Sequence, residues 1–520
     1  MASPITTHLS ASHIRYTSRN PKSYAAHQEA VKHLPGGNTR SSIFSTPFPL
    51  TIASGKNGTV TSLDGDTYTD FLGEYSAGLL GHSNGRVANA LSKALANGWN
   101  FGGVSVHESA FAARVCDRFS EAGMEMVRFT TLATEANTMA IATALAFVNS
   151  RNDNLNDGSE TGKSTKSKIL VFSNSYHGAT LTFPMSLLLD HDGGNGGGGG
   201  GGGRGVISGG TTGPAATNLP HDFVLAPHNN IAETRAIIDS LDPTSGRLAA
   251  ILFEPMQGAG GCRPTTKEFA HFLRQVADEH SALLIADEAM TSRLGPAGLC
   301  GGYLGIKPDI MTLGKWVGGG MSFGGFGGRR EIMQLYLPGD SGGDGNEKGK
   351  GPGTGTGTGR LSHAGTFNNN ILTMVAGQEA LGIYTRERVG ALNGLGDRLR
   401  KGVWRLLLDR GIIDESVWIG VEEVGVVEVD TFDKEKRKGE ANTLPRMFVS
   451  GYGSLISVRF SGEAAEVWKA LFYHHMLQEN FYIAMRGYMA LTMEATEVDV
   501  DRFISCVDGF LDRYKELLVA

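Results

Sequence analysis

Five short, continuously apolar runs, separated by stretches with helical spacing, constrain this chain more than any other feature. Apolar runs without alternation are typical of strands buried on both faces, and such strands occur in parallel sheets that helices cover. The pattern therefore predicts an α/β fold with a large, mainly parallel central sheet. The runs are MVRFTTL (126–132), KILVFS (168–173), LAAILFEP (248–255), ALLIADE (282–288) and DIMTLG (309–314).

The regions on either side of this pattern differ from it. Residues 50–75 contain the turn signals Lys56-Asn57-Gly58 and Asp64-Gly65-Asp66, which predict a small antiparallel meander. The C-terminal region combines strands such as LISVRF with helices, and we expect it to form one small α+β domain with the N-terminal segment. The predicted bounds are 1–95 for the N-terminal segment, 96–387 for the large domain and 388–520 for the C-terminal region.

The chain has 73 glycines, and they are unevenly distributed. Gly196 to Gly203 are consecutive glycines within a segment at about 191–218, and a similar segment covers about 339–359. Together with the polar stretch 150–168, these segments have too little apolar surface to offset the entropy of ordering, so we predict flexible insertions. A phosphate-binding glycine loop is the alternative, but no strand leads into the glycine run and no helix follows directly.

The composition excludes several classes of protein. The net charge of −6 and the lack of a long basic run argue against a nucleic-acid partner. No stretch of about 18 uncharged apolar residues occurs, so we expect no membrane span, and we predict no metal site. The four cysteines form no paired motif, which favours reduced thiols in the cytoplasm. A mitochondrial location is the alternative, because the N-terminus is rich in Ser and Thr and its first acidic residue is Glu29.

Lys315 directly follows the predicted strand DIMTLG. An ammonium at the end of a buried strand is costly unless its pKa falls or the amine is used covalently, as in a Schiff base. Gly314 and the run Gly318–Gly320 would let a flat ring approach the backbone. A lysine that reaches solvent is the alternative. A Walker phosphate loop is excluded because Trp316 stands where Ser or Thr is required.

Other polar side chains also follow predicted strands, where ligands of open α/β sheets collect. Asp287, the last residue but one of ALLIADE, can hold a pyridinium N–H, which makes such a ring an electron sink. Glu288 is the competing carboxylate, and strand alternation places the two on opposite faces. Tyr176, in Tyr176-His177-Gly178, can stack on a ring. Thr134 begins a predicted helix whose free N–H groups can bind phosphate, although plain helix capping is the alternative.

The order of these residues along the chain is more specific than any one of them. The sequence resembles the class III (subgroup II) aminotransferases of pyridoxal-phosphate fold type I, most closely the β-phenylalanine aminotransferases, followed by the glutamate-1-semialdehyde aminomutases. The matching segments are PGGNTRSSIFSTPFPLTIASG (35–55), TEANTMA (134–140), SNSYHG (173–178), FEPMQGAGGC (253–262), ADEAMTSR (286–293), TLGKWVGGGMSFGGFGGR (312–329) and HAGTFNNN (363–370).

The resemblance implies a pyridoxal 5′-phosphate cofactor and a role for each matching residue. Lys315 would carry the cofactor as a Schiff base and then shuttle a proton, while Asp287 would pair with the pyridine nitrogen. Thr366 would reach the phosphate of the neighbouring subunit, which requires a homodimer. The implied cofactor-binding residues are Ala133, Thr134 (through their backbone), Tyr176 (stacked on the ring), His177, Glu254 (towards the substrate side), Asp287, Lys315 and Thr366.

The resemblance also implies one carboxylate-binding arginine and contains one departure. Arg40, in GGNTRS, would bind the substrate carboxylate. Apart from the resemblance, Arg486, in AMRGYMALT, is a candidate for a second carboxylate site, where an acceptor such as 2-oxoglutarate could bind. A structural ion pair is the alternative for each. Members of the family usually read Ser-Gly-Thr where this chain reads Leu132-Ala133-Thr134. Because backbone N–H donors remain, we expect the cofactor to bind, but the loss of a hydroxyl donor and the added methyl group predict weaker affinity or a shifted cofactor.

Several functions remain open from the sequence. The leading hypothesis is an aminotransferase that moves an amino group between an amino acid, such as a β-amino acid, and a keto acid. The alternative is an aminomutase of the glutamate-1-semialdehyde type, which would keep the amine within one molecule. A catalytically silent scaffold is a third hypothesis, based on Leu132-Ala133. A nicotinamide dehydrogenase is disfavoured because the glycine-rich motif follows Lys315 instead of an early strand.

Overall fold

The computed structural model describes residues 4–153, 165–183, 206–207, 221–337, 361–413, 445–462 and 464–519. The predicted insertion at 339–359 lies outside these residues, as do most of 150–168 and all of 191–218 except Val206–Ile207, which form a short strand. The chain divides into two compact units. The first unit comprises Met1–Ser92, Gly261–Pro264 and Ile383–Ala520, and the second comprises Lys93–Gly260 and Thr265–Gly382. None of the helices within the described ranges is long and apolar enough to span a bilayer.

The first unit contains the predicted meander. Strands β1 (Ile52–Lys56), β2 (Thr59–Ser62) and β3 (Thr67–Asp70) pair antiparallel, and β18 (Phe481–Tyr482) pairs in parallel with β3. A second, antiparallel sheet is formed by β16 (Met447–Tyr452), β17 (Leu455–Phe460) and β19 (Tyr488–Ala490). The remaining elements are β12 (Arg263–Pro264), α1 (Pro4–Arg19), α2 (Pro21–Ala30), α10 (Arg386–Asp409), α11 (Ala465–Gln478) and α12 (Glu497–Val519).

The second unit is built around an eight-stranded sheet with the order β4-β15-β14-β13-β10-β5-β9-β8. Five adjacent strands, from β14 to β9, are parallel, which confirms the predicted mainly parallel sheet. The strands are β4 (Met126–Thr130), β5 (Lys166–Phe172), β8 (Val206–Ile207), β9 (Asp222–Ala226), β10 (Arg247–Phe253), β13 (Leu283–Asp287), β14 (Ile310–Gly314) and β15 (Gly324–Gly328).

Helices and short strands complete the second unit. Helix α3 (Gly85–Asn97) begins in the first unit and ends in the second. The others are α4 (Val106–Phe119), α5 (Ala133–Asp153), α6 (Ile231–Asp239), α7 (Lys267–Glu279), α8 (Arg330–Met333), α9 (Ile371–Ile383), β6 (Ser175–Tyr176), β7 (Thr182–Phe183) and β11 (Met256–Gln257).

Hydrophobic clusters cover both faces of the large sheet. Ile169 and Val171 of β5 belong to the cluster that includes α5, whereas Leu170 and Phe172 belong to the cluster that includes α7. Successive side chains of β5 therefore pack into the hydrophobic clusters on opposite faces of the sheet, because side chains alternate between the two faces along a strand. This double burial explains why the strands appear in the sequence as continuous apolar runs.

Strand β15 was not predicted, because its sequence is Gly-Gly-Phe-Gly-Gly and glycine is depleted in strands. It pairs antiparallel with both β4 and β14. A Cβ atom at Gly324 would lie 2.2 Å from the carbonyl oxygen of Leu132. Glycine is therefore required by the close approach of the two backbones, and β15 connects β4 to the parallel strands.

Candidate active site

Asp287 lies buried at the end of β13, and its carboxylate has hydrogen-bond partners on both oxygens, including Thr312 Oγ1, which donates to Oδ1 over 3.4 Å. Asn137 Nδ2 donates to Oδ2 over 2.8 Å, and His177 Nδ1 lies 2.9 Å from the same oxygen. The backbone N–H of Ala289 donates to Oδ1 over 3.0 Å. Because a carboxylate only accepts, this arrangement places the proton of His177 on Nδ1.

The charge state of Asp287 follows from two opposed effects. Burial works to raise the pKa of Asp287, since a charged carboxylate loses its hydration. The hydrogen bond and charge of His177, the N–H of Ala289 and the charge of Lys315 together outweigh burial, so the pKa lies below its ordinary value. Asp287 is therefore an anion at neutral pH, which suits a protonated ring nitrogen as its partner.

Two residues that sequence reasoning missed hold Asp287 in place. Asn137 of α5 is fully buried and also donates to the carbonyl oxygen of His177 over 2.9 Å. Thr312 of β14 donates through Oγ1 to Asn137 Oδ1 over 2.7 Å. The available signal was an asparagine next to the small and apolar residues of the first turns of α5, because an amide that becomes buried requires partners.

Lys315 lies half-buried where β14 ends, three residues after Thr312, which is the Cα partner of Asp287 in the parallel pairing of β13 and β14. Its positive charge contributes to lowering the pKa of Asp287, and the parallel pairing of β13 with β14 places both residues at the same edge of the sheet. The backbone of Lys315 adopts φ +55°, in the left-handed region. Such a conformation costs a non-glycine residue about 1–3 kcal/mol and is retained only where the surroundings impose it.

Glu254 and Tyr176 meet beside this pair. The backbone N–H of Tyr176 donates to Glu254 Oε2 over 2.9 Å, and that of Gly258 donates to Oε1 over 3.1 Å. Burial raises the pKa of Glu254 to about 7; the charge of Asp287 adds to this, while His177 and the two backbone N–H groups oppose it. Glu254 can therefore gain or lose a proton near neutral pH, whereas the ring of Tyr176 remains 46% exposed.

The first turn of α5 offers backbone donors. The N–H of Ala136 donates the first backbone hydrogen bond of the helix, to the carbonyl oxygen of Leu132 over 3.1 Å. The N–H groups of Ala133 and Thr134 lie before this residue and so have no acceptor within the helix. Thr134 is the second helical residue, not the cap. A Cβ atom at Gly178 would lie 2.2 Å from Thr134 Oγ1, so the loop after Tyr176 packs directly against this turn.

These features fit pyridoxal 5′-phosphate. The anionic Asp287 can accept the ring N–H, and Lys315 provides the amine for the aldehyde. The N–H groups of Ala133 and Thr134 can hold the phosphate. A Cβ atom at Gly314 would lie 2.9 Å from Ala133 Cβ, which shows how tightly the strand end approaches this turn. Leu132, which replaces a hydroxyl donor, is 52% exposed beside it.

The two predicted carboxylate-binding arginines lie in the first unit, against one tyrosine. The guanidinium carbons of Arg40 and Arg486 are both 5.3 Å from the centre of the Tyr75 ring, which stacks on Tyr488. Arg40 also forms an exposed ion pair with Glu74. Arg486 has no carboxylate partner among the residues that the structure describes.

The backbone that carries Glu74 and Tyr75 is unusual. Gly73, Glu74, Tyr75 and Ser76 have φ values of 53°, 48°, 52° and 78°, so four successive residues are left-handed. Asp70 accepts the N–H of Gly73 over 3.0 Å. Three non-glycine residues in this region represent strain of the kind that clusters at ligand sites.

Thr366 is not part of the Asp287 cluster within one chain. It lies exposed in the turn before α9, and its hydroxyl bonds to none of the described residues. Val104 and Phe367 are 88% and 59% exposed, and Asn369 Nδ2 connects their two segments by donating to the carbonyl oxygen of Gly103 over 3.2 Å. The structure thus brings together Lys315, Asp287, His177, Glu254 and Tyr176, with Ala133 and Thr134 in the adjacent turn, but leaves Thr366 apart.

Comparison with known families and proteins agrees with this geometry. The model of the family "Aminotransferase class-III" matches residues 42–407. The β-phenylalanine transaminase of Variovorax paradoxus is 35% identical to this chain, and the match covers 98% of this chain and 97% of the transaminase. A glutamate-1-semialdehyde 2,1-aminomutase of Lysinibacillus sphaericus is 31% identical over 73% of this chain and 77% of its own.

Solved structures show the same architecture. The crystal structure of the β-phenylalanine aminotransferase from Variovorax paradoxus superposes with a TM-score of 0.76, at 33% identity and 99% coverage of both chains. An ω-transaminase from Sphaerobacter thermophilus has a TM-score of 0.72, covering 95% of this chain and 99% of its own, but at 24% identity it supports the fold alone. The fold is therefore that of the pyridoxal-phosphate enzymes of fold type I.

Glu254→Gln should change how stability depends on pH. The pKa of Glu254 is raised to about 7 in the folded chain, so the folded state binds the proton of this carboxyl more tightly than the unfolded state does. The stability that this proton contributes is fully present below the ordinary pKa of a glutamate and is lost as pH rises through about 7. The unfolding free energy of the wild type minus that of the variant should fall by about 1–3 kcal/mol between about pH 5 and pH 8. Urea unfolding at several pH values measures it. A constant difference, equal to that of the exposed-site control Glu466→Gln, would contradict the assignment.

Proposed function

Since this chain belongs to the class-III aminotransferases and is a pyridoxal 5′-phosphate-dependent transaminase of amino and keto acids, we propose that its amino donor is a β-amino acid. One observation carries this choice: the similarity to a β-phenylalanine transaminase extends over nearly the full length of both chains. The similarity to an aminomutase covers a smaller part of this chain, although at comparable identity. We therefore favour transfer to a keto acid over rearrangement within one molecule.

The residues around Asp287 support a division of roles. The cofactor, when bound, supplies an aldehyde that condenses with amines and a ring that withdraws electrons. Asp287, kept ionised by His177 and Lys315, holds the proton on the ring nitrogen. Lys315 would hold the cofactor through Nζ, and the same amine, when free, would move a proton at the reacting carbon.

The neighbouring groups orient and enclose the ring. Tyr176 presents an exposed aromatic face for stacking, and its backbone is fixed by Glu254. Ala133 and Thr134 offer the N–H groups for the phosphate. Glu254, with a pKa near 7, faces the same cluster and can lose its charge when a substrate carboxylate approaches.

Arg40 and Arg486 supply the positive charges that amino and keto acids require. We propose that Arg40 binds the donor carboxylate and that Arg486 binds a carboxylate of the keto acid. The ion pair of Arg40 with Glu74 is exposed, and exposed pairs are weak, so a substrate carboxylate can displace Glu74. The two cation–π contacts with Tyr75 keep both guanidinium groups in place.

We further propose a homodimer in which Thr366 binds the phosphate in the partner subunit. The support is the exposed apolar surface formed by Val104 and Phe367 next to Thr366. Contiguous exposed apolar surface marks interaction sites, and aromatic residues such as Phe367 are enriched at interfaces. The two segments are joined by the bond from Asn369 to Gly103, so they form one surface.

The cytoplasm is the location that we propose. Cys116, Cys300 and Cys506 form no disulfide among the described residues, and reduced thiols persist in that compartment. Cell fractionation against a mitochondrial marker distinguishes it from the organelle.

The substrate class can be tested by half-reactions. β-Phenylalanine added to the purified holoenzyme should convert the absorbance of the lysine-bound cofactor into that of pyridoxamine phosphate, and α-phenylalanine should not.

The Lys315→Ala variant should lose the absorbance band of the lysine-bound cofactor, and its turnover should fall by more than about a thousandfold, because the amine that holds the cofactor and carries the proton is gone. Conversion by α-amino acids alone would refute the β-amino-acid assignment. Isomerisation of glutamate-1-semialdehyde without a keto acid would favour the aminomutase.

Glu74→Gln should lower the KM for the β-amino acid severalfold, since no carboxylate then competes for Arg40. Arg40→Gln should raise the same KM about tenfold or more with a smaller change in kcat, because binding is lost in the ground and transition states alike. Asp66→Asn, which breaks the Arg19–Asp66 pair of similar exposure, is the matched control and should leave KM unchanged. Steady-state kinetics decide, and an unchanged KM in both Glu74→Gln and Arg40→Gln would exclude Arg40 as the carboxylate site.

The homodimer can be tested by mutation and by mixing. Val104→Asp should shift sedimentation towards the monomer, whereas Val498→Asp, at a similarly exposed valine of α12, should not. Thr366→Ala and Lys315→Ala proteins should each lose activity, but a hybrid dimer of the two contains one intact site. Unfolding and refolding them together should therefore restore activity. Recovery no greater than that of each variant refolded alone would exclude a role for Thr366 across an interface.

A further inference from the structure

Trp316, the residue after Lys315, is held by two contacts of its side chain and one hydrogen bond of its backbone. Its side chain is 1% exposed, and the indole N–H donates to Ser292 Oγ over 3.0 Å. The guanidinium carbon of Arg118 lies 5.6 Å from the centre of its ring. The N–H of Gly319 donates to the carbonyl oxygen of Trp316 over 2.8 Å. The indole therefore cannot turn without breaking a buried hydrogen bond.

Ser292 belongs to the loop that follows Asp287. Its own N–H donates to the carbonyl oxygen of Glu288 over 3.0 Å, and Thr291 Oγ1 donates to Glu288 Oε2 over 2.5 Å. The N–H of Glu288 in turn donates to Thr312 of β14 over 3.0 Å. A short series of hydrogen bonds thus connects the Ser292 hydroxyl to the end of the strand that carries Asp287.

The turn of Lys315 is shaped by its surroundings. A Cβ atom at Gly318 would lie 2.3 Å from Phe323 Cβ, and one at Gly319 would lie 2.3 Å from the carbonyl oxygen of Ala376. Lys315 itself is left-handed, which its own side chain disfavours. Close packing at Gly318 and Gly319, together with the contacts of Trp316, therefore maintains the conformation.

We propose that the hydrogen bond between Trp316 and Ser292 is a positioning device that joins the turn of Lys315 to the loop after Asp287 and so fixes the distance between amine and carboxylate. Trp316 and Ser292 are positioning residues, because both side chains are fully buried and act through their neighbours. The inference rests on the roles proposed above for Lys315 and Asp287.

Loss of this bond should affect chemistry more than binding. Without its anchor the indole shifts, the left-handed turn relaxes, and the amine of Lys315 moves relative to the charge of Asp287. Small displacements of a reacting group reduce the rate of the chemical step strongly. The changed distance between the two charges also alters the pH at which the lysine-bound cofactor takes up a proton.

The test uses holoenzyme of Trp316→Phe, which removes the N–H but keeps a large ring, and of Ser292→Ala, which removes the acceptor. In both, the midpoint of the spectrophotometric pH titration of the lysine-bound cofactor should shift in the same direction, by about half a pH unit or more. The kcat should fall by about tenfold to a hundredfold, with KM within about threefold. The double variant should be no worse than the more impaired single variant, since both remove one bond.

Trp468→Phe is the matched control, because Trp468 is equally buried but belongs to the first unit. If Trp316→Phe and Ser292→Ala lower the melting temperature as this control does and leave the midpoint and kcat unchanged, the two residues are merely structural and the proposal falls. Should Trp316→Phe fail to fold, Ser292→Ala alone decides. A wild type without the lysine-bound band, or a Lys315→Ala variant that retains it, would instead refute the proposed role of Lys315.

Discussion

The site depends on one buried negative charge. Asp287 ends an otherwise apolar strand, and an ionised carboxylate is stable there only when its oxygens are hydrogen-bonded and positive charge is near. Asn137, His177 and Ala289 provide the hydrogen bonds, and Lys315 adds its charge. These partners come from a helix, two loops and a strand end. The ionisation of Asp287 therefore depends on how all four of these segments are arranged at the edge of the sheet.

The parallel topology explains how such distant residues meet. Strands β5, β10, β13 and β14 all run in one direction, so the residues that follow them collect at one edge of the sheet. Asn137 attaches α5 to the same edge through Asp287. In the roles that we propose, this one buried amide joins the helix turn for the phosphate to the carboxylate for the ring.

Both parts of the molecule that we assign to ligands contain strained backbone. Lys315 is left-handed in the second unit, and the segment Gly73–Ser76 is left-handed in the first. In each case the strained residue lies next to one with a fixed aromatic side chain, Trp316 or Tyr75. The strain is balanced by packing and hydrogen bonds of the neighbours, and it aims a charged side chain in a direction that relaxed backbone would not provide.

The sequence by itself determined the strands of the central sheet, because burial on both faces leaves a local and readable pattern of apolar residues. It also pointed to Lys315 and Asp287, since each follows such a strand. Only the tertiary structure decided that Asn137 and Thr312 support Asp287, that Gly-Gly-Phe-Gly-Gly forms β15, and that Arg40 pairs with Glu74. These features depend on which backbones and side chains lie next to each other across long separations in the chain, and no local periodicity encodes that adjacency.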